Sequence, residues 1–416
     1  MNARPRTNWA GNVAFAAPGF YCPSSLRELQ ALVARSARIR VLATGHSFND
    51  LADSPGAQVS LAGLPPEVSV DSAASVARVA VGLSYAELAV RLDARGFALR
   101  NLASLPHISV GGATATGTHG SGTANQNLAA AVVGLTLVTA EGDLMELDRA
   151  DGAVVHLGAL GVVSSLTVGL VPSFDVSQRV YENLPLEVLD DHFTDVMTSA
   201  YSVSLFTDWR APRLTQVWLK HRLDAPASSV PEAPWFNATP ATSPRNPVPG
   251  ASPDACTVQL GIPGRWYDRL PHFRPGFKPS AGHELQSEYL LPVAHAIPAL
   301  HALNQIRGRL APVLRICEIR VVAADQLWLS PCYRQDSVAF HFTWIADAAA
   351  VRPVVTLAER QLAPFGPRPH WGKVFTTPRE DLRARYDRLP AFLDLMRRFD
   401  PSGKFRNAYT ARCLGL

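Results

Sequence analysis

Apolar residues Leu26, Leu29, Leu32 and Val33 recur at helical spacing. Ser25 and Glu28 precede them in S-x-x-E order, the signature of a capping box, so the pattern predicts a helix there. A short apolar run over residues 39–43 predicts a strand that stops at Thr44-Gly45-His46-Ser47, a turn-like tetrapeptide. Residues 76–81 read as a further strand. Ser84 and Glu87 form a second box for a helix carrying Leu88 and Leu92, and Gly96 suits its C-terminal cap. Strands are expected at 132–139 and 144–147, with Glu141-Gly142 as the turn between them. Another is expected at 162–170, ended by Pro172.

Near residue 175 the pattern changes. Strand-like runs cover 202–206, 216–220, 314–322 and 338–345, and helical spacing covers 292–310 and 380–398. Between them lies a proline-rich segment from Pro231 to Pro253. Proline lacks the N–H that ladders and helices need, so this segment is read as a long surface excursion suited to covering an active site.

Composition narrows the class. A hydrophobic fraction of 47% with 18% charged residues fits a globular enzyme with a large core, and 416 residues allow two or three domains. The net charge of +4 is small and no block of five or six like charges occurs, so a nucleic-acid partner gets no support and none is expected. The cysteines Cys22, Cys256, Cys317, Cys332 and Cys413 are odd in number and form no C-x-x-C pair. That argues against a disulfide framework and against a metal site, and fits a reducing cytoplasm. The opening Met1-Asn2-Ala3-Arg4-Pro5 leads into Thr7-Asn8-Trp9 without the apolar core of a signal peptide. No apolar run is long enough to span a membrane.

The chemistry-bearing signal begins at Ser109-Val110-Gly111-Gly112-Ala113-Thr114-Ala115-Thr116-Gly117-Thr118-His119-Gly120-Ser121-Gly122. Glycines and small hydroxyl residues let backbone N–H groups approach one anion closely, and a diphosphate is the natural guest. The spacing matches neither G-x-x-x-x-G-K-[ST] nor G-x-G-x-x-G, so neither a P-loop nor a Rossmann fingerprint applies. A second loop, Gly45-His46-Ser47-Phe48-Asn49-Asp50, follows a strand in the manner of another phosphate-facing turn.

These words, together with Leu160-Gly161-Val162-Val163 and the closing Phe405-x-Asn407, resemble the vanillyl-alcohol-oxidase superfamily of flavoproteins, with its PCMH-type FAD domain. Residues 7–12, 104–109, 202–209 and His370-Trp371-Gly372-Lys373 are similar to one branch of it, the alditol (xylitol) oxidases. The resemblance covers nearly the whole chain. It implies an α+β fold: an FAD-binding domain of two α+β subdomains (residues 1–176), a substrate-binding cap with an antiparallel sheet (177–372) and a C-terminal segment returning to the FAD domain (373–416). It implies FAD held covalently through His46, with His119 as the competing attachment point. Matched residue by residue, the FAD contacts would be Thr44, Gly45, His46, Ser47, Ser104, Ser109, Gly112, Ala115, Thr116, Gly117, Thr118, Val163 and His370. The stretch 148–156 is shorter than is usual in the family.

Two later strands alternate usefully. Glu318 and Arg320 share one face of Cys317-Glu318-Ile319-Arg320-Val321, and His341 and Thr343 share one face of Phe340-His341-Phe342-Thr343-Trp344. A polyol needs such polar faces, because each hydroxyl must trade water for a donor or acceptor. The resemblance gives Ser104, Glu318, Arg320, Thr343 and Lys373 as polyol ligands. Hydride would pass from a terminal carbinol carbon to the flavin as the hydroxyl loses its proton, with Arg320 and Lys373 stabilising the developing alkoxide. The base is Lys373, its pKa depressed by a neighbouring cation, or His341; the sequence leaves both open. O₂ would regenerate the cofactor with release of H₂O₂, past the small Ala103. The expected reaction is oxidation of xylitol or sorbitol to the aldose by a monomer, with no membrane or nucleic-acid partner. A sugar-1,4-lactone oxidase or dehydrogenase is the enzyme alternative; a flavin-binding protein without turnover and a nucleotide-binding structural module are the alternatives of other classes.

Overall fold

The computed structural model describes residues 6–148, 151–224, 235–276 and 283–415. Met1 to Pro5, positions 149–150 of the short 148–156 stretch, and Pro231 and Pro234 of the proline-rich segment lie outside the described residues.

The helix Leu26–Arg35 buries Leu29, Leu32 and Val33, as its spacing dictates. Its capping box is only half made. Ser25 accepts from the Glu28 N–H, but the Glu28 carboxylate turns to the N–H and hydroxyl of Ser24. Ile39–Val41 follows, two residues shorter than expected, and pairs in parallel with Ala57–Val59, which also pairs in parallel with Gly19–Tyr21. Tyr85–Asp93 carries a complete box between Ser84 and Glu87. A five-stranded antiparallel sheet runs in the order Val68–Asp71, Val76–Ala80, Val162–Gly169, Val132–Val138, Leu144–Asp148. Its strand Val162–Gly169 ends before Pro172; Val171–Pro172 turns away to pair with Phe97–Ala98.

The second sheet has nine strands, and among the described residues its strands all pair antiparallel. Its order is Thr239–Pro240, Asp175–Pro185, Arg213–Arg222, Ser202–Thr207, Leu314–Val322, Ser337–Ile345, Glu284–Pro292, Arg368–Pro369, with Gly264–Arg265 also on Asp175–Pro185. The proline-rich segment therefore contributes an edge strand, where one proline is tolerated because an outer N–H needs no partner. The stretch expected as a helix from 292 starts as the end of a strand, and the helices are Ala296–Gln305 and Arg307–Leu310. The expected helix over 380–398 is broken into Arg379–Arg385 and Leu389–Phe399 at Tyr386, whose extended backbone lets its ring pack on Trp371.

Period-two alternation gives this sheet two different faces. Leu285, Tyr289, Ile319, Val321, Phe340, Phe342 and Trp344 share one core with Val351, Val354, Val355 and Ala358 of the helix Ala348–Leu362. The intervening residues face a cavity on the other side. The last helices close a second core with the N-terminal half: Leu389, Phe392, Met396 and Tyr409 lie with Leu29, Val33 and Leu88. Buried Lys404 fastens them by donating to the carbonyls of Val33, Ala34 and Ala140. Asn407 donates to the carbonyls of Asp50, Leu51 and Asp53, beside the loop that bears His46.

Candidate active site

One cavity of about 320 Å³ lies between the two sheets, a size typical of small-molecule sites. From one side it is lined by Thr44, Gly45, His46, Ser47, Ser104, Ser109, Gly112, Ala115, Thr116, Thr118 and Val163. From the other come Glu318, Arg320, His341, Thr343, His370 and Lys373. Of the residues expected to contact FAD or the polyol, Gly117 alone is not on the wall. Its φ of +68° turns the chain between Thr116 and Thr118, and a Cβ there would press on Pro331 at 3.1 Å.

The glycine-rich segment works differently from the expectation. Val110–Ala115 is a short helix whose first N–H groups are already engaged, Val110 by the carbonyl of Leu83, Gly111 by that of Val81 and Gly112 by the Ser109 hydroxyl. Small residues here let the helix approach the wall closely; a Cβ on Gly111 would lie 2.8 Å from Val81. His119, the competing attachment point, lies with its Nε2 3.2 Å from Glu288 Oε1.

His46 sits against the rings of Trp9, Phe48 and His107. Burial, reinforced by His107 and Lys373, pushes its pKa down to about 3, so its imidazole is neutral. Its Nδ1 is buried without a hydrogen-bond partner. A neutral, partnerless ring nitrogen on the wall of a cavity suits a flavin attached or closely apposed there, and the hydroxyl and glycine wall beside it suits the rest of a dinucleotide. The loop bearing His46 is fixed by Asn49, which donates to the carbonyls of Trp371 and Lys373 at 2.8 and 2.9 Å. Trp371 is held in turn by Tyr409, whose hydroxyl donates to its carbonyl at 2.7 Å, so both halves of the chain meet at His370-Trp371-Gly372-Lys373.

Glu288, on the unforeseen strand Glu284–Pro292, organises the opposite wall. It is 2% exposed. Lys373 Nζ and Arg320 Nη2 each donate to it at 2.7 Å. Burial raises its pKa, but Lys373, His119 and Arg320 outweigh burial and hold it well below the usual carboxylate range. Lys373 is lowered chiefly by its own burial; Arg320 adds to this and Glu288 opposes it. The expected depression is present, but the neighbouring cation is a secondary cause. Glu318 has partners of its own, with His272 Nε2 2.7 Å from its Oε1 and His341 Nδ1 3.5 Å from its Oε2, and a carboxylate has lone pairs left for a hydroxyl. Burial pushes His341 down to about 4, and its Nε2 is buried without a partner. The arrangement can bind a hydroxyl between Arg320 and Lys373, orient its neighbours through Ser104, Thr343 and Glu318, and accept a proton at His341 Nε2.

Sequence reasoning missed Glu288, His272 and Gln286, all on this wall. Glu284, Gln286 and Glu288 alternate with Leu285 and Tyr289 in the same way as the two strands it did find, so the signal was present. Among the described residues, no cluster of His, Cys, Asp or Glu is arranged to hold a metal, and no helix is long and apolar enough to cross a membrane. All five cysteines are unpaired.

Residues 17–148 match an FAD binding domain model and residues 283–413 a D-arabinono-1,4-lactone oxidase model. The chain is 53% identical to alditol oxidase of Streptomyces sp. over 97% of both chains. It is 30% identical to L-gulono-1,4-lactone dehydrogenase of Mycobacterium tuberculosis over 98% of this chain and 99% of the other. The solved structure of cholesterol oxidase from B. sterolicum shares the fold, with a TM-score of 0.77 at 14% identity over 99% of this chain and 96% of that one.

Proposed function

The chain belongs to the FAD-dependent oxidoreductase family that includes alditol oxidase and L-gulono-1,4-lactone dehydrogenase, and on that premise we propose that it is an alditol oxidase. It oxidises the terminal primary hydroxyl of a polyol such as xylitol or sorbitol to the aldose, with O₂ reduced to H₂O₂. The observation that carries this reading is the cavity whose one wall is hydroxyl- and glycine-rich around His46 and whose other wall is the Glu288-anchored set Arg320, Lys373, Glu318 and His341. FAD bound there would supply the acceptor for the hydride, and with it the two electrons, that leaves the carbinol carbon, while the hydroxyl proton goes to a base on the protein.

His46 is the proposed attachment point, with Thr44, Gly45, Ser47, Ser104, Ser109, Gly112, Ala115, Thr116, Thr118, Val163 and His370 as further contacts and Gly117 as the turn between two of them. Arg320 and Lys373 hold the reacting oxygen and balance the charge it gains. We assign the base to His341. Lys373 is committed to Glu288, whereas His341 is neutral and presents an unpartnered ring nitrogen to the cavity. Ser104, Thr343 and Glu318 meet the remaining hydroxyls. We propose domain limits at 176 and 372, a reading supported by the start of the nine-stranded sheet at Asp175 and by its strand Arg368–Pro369. Five unpaired cysteines fit a reducing compartment, and we place the protein in the cytoplasm.

An oxygen-electrode assay tests the reading. Xylitol and sorbitol should support O₂ uptake with stoichiometric H₂O₂, and aldonolactones should support much less. Turnover of lactones without turnover of polyols would reject it in favour of the lactone oxidoreductases.

A further inference from the structure

Lys220 lies in the interior of the nine-stranded sheet, on Arg213–Arg222, opposite Gln178 and Ser202 and only 1% exposed. Nothing in the proposed chemistry uses it. Its ammonium has three hydrogens, and the structure supplies three acceptors: the carbonyl of Leu270, the carbonyl of Pro271 at 3.1 Å and His272 Nδ1 at 3.1 Å. An ammonium cannot accept a hydrogen bond, so while Lys220 is charged His272 Nδ1 carries the lone pair. The hydrogen must then sit on Nε2, which faces Glu318 Oε1 at 2.7 Å. The ring is held in this attitude by edge contacts with Phe206 and Trp218, and its backbone N–H is fixed to the Ser104 carbonyl. An ionised Glu318 accepts only, so the long contact from His341 to its other oxygen calls for a hydrogen on His341 Nδ1 and leaves Nε2 as the open acceptor.

We infer that Lys220 and His272 are positioning residues that set the tautomers of the substrate pocket, keeping Glu318 ionised and aimed at polyol hydroxyls and His341 Nε2 free to accept. This rests on the alditol oxidase reading. Burial, opposed first by Glu318, pushes Lys220 down to about 7, with Cys256 and Arg320 as its other charged or titratable neighbours. Its charge is therefore the link most easily lost, and its loss would let His272 turn a lone pair toward Glu318.

The test uses the flavin-loaded protein in three variants. Lys220→Met and His272→Leu should each lower kcat/KM for xylitol by about tenfold or more, the scale of one hydrogen bond to a charged group, chiefly through KM, with flavin content and absorbance unchanged. His272→Gln, whose amide can replace the Nε2 donor, should stay within about threefold of wild type on the same scale. Spectra of ¹⁵N-histidine-labelled wild type at pH 6, read at the resonance missing from His272→Gln, should report the Nε2–H tautomer. A Leu variant as active as the Gln variant, or a His272 found as the Nδ1–H form or the imidazolium, would overturn the inference. The tautomer reading does not depend on turnover, so a wild type that oxidises no alditol would fail the proposed function and leave this result to stand or fall alone.

Discussion

Glu288 carries more of the site than any residue that sequence motifs pick out. It pairs with two cations and touches a histidine while 1% of its side chain is exposed. Glu288→Gln keeps the shape and removes the charge, stranding Arg320 and Lys373 together in a buried wall. Breaking a buried pair in this way costs about 3–5 kcal/mol; urea unfolding should show that loss, and xylitol turnover should fall with it. Wild-type stability in the variant would contradict the assignment. His46→Ala should retain the fold and leave no flavin fluorescence in the acid-precipitated protein, because the attachment atom is gone. The motif-borne residues were legible because short words carry them: Gly45-His46-Ser47-Phe48 and His370-Trp371-Gly372-Lys373 read as they stand. The environment that tunes them was not. Glu288 is 85 residues from Lys373, and only strand pairing brings them together.

At the scale of the element, alternation decided what could be read. Phe342 and Thr343 are neighbours on Ser337–Ile345, yet one faces the helices and stacks on Trp344 while the other faces the cavity. Phe342→Ala should therefore destabilise the chain by about 3–5 kcal/mol in equilibrium unfolding. Thr343→Val should leave stability nearly unchanged and raise KM for polyols. If Phe342→Ala is neutral, the two-faced description of this sheet is wrong. Where the pattern failed, a competing signal had won. Pro292 and the apolar spacing after it suggested a helix start and obscured the strand Glu284–Pro292, and Tyr386 broke a helix that periodicity alone would have continued. Capping was legible at Ser84, but at Ser25 a neighbouring serine captured the glutamate.

Across the whole molecule, folding imposes a shared electrostatic state on much of the cavity: His46, His156, His272 and His341 are buried and held neutral. Burial is the first cause of a pKa near 3 for His46 and near 4 for His156, His272 and His341. An unfolded histidine titrates near 6.5, so the unfolded chain binds more protons than the native one between about 6.5 and 4, and stability must rise with pH across that window. Below the folded values the difference vanishes. Unfolding at graded pH should show a steep loss of stability on acidification from 6.5 to 4, with uptake of about four protons by these groups near pH 5 and more from His370, which burial also holds well below its ordinary value; a flat profile would contradict the neutral, buried assignment. The central claim, that the hydroxyl-rich wall and the Glu288-anchored wall meet to oxidise a polyol, is tested most directly under nitrogen. Mixing the flavin-loaded protein with xylitol should bleach its blue-light absorbance in a single turnover, and admitting O₂ should restore it. A flavin that stays oxidised with every alditol offered would contradict the account.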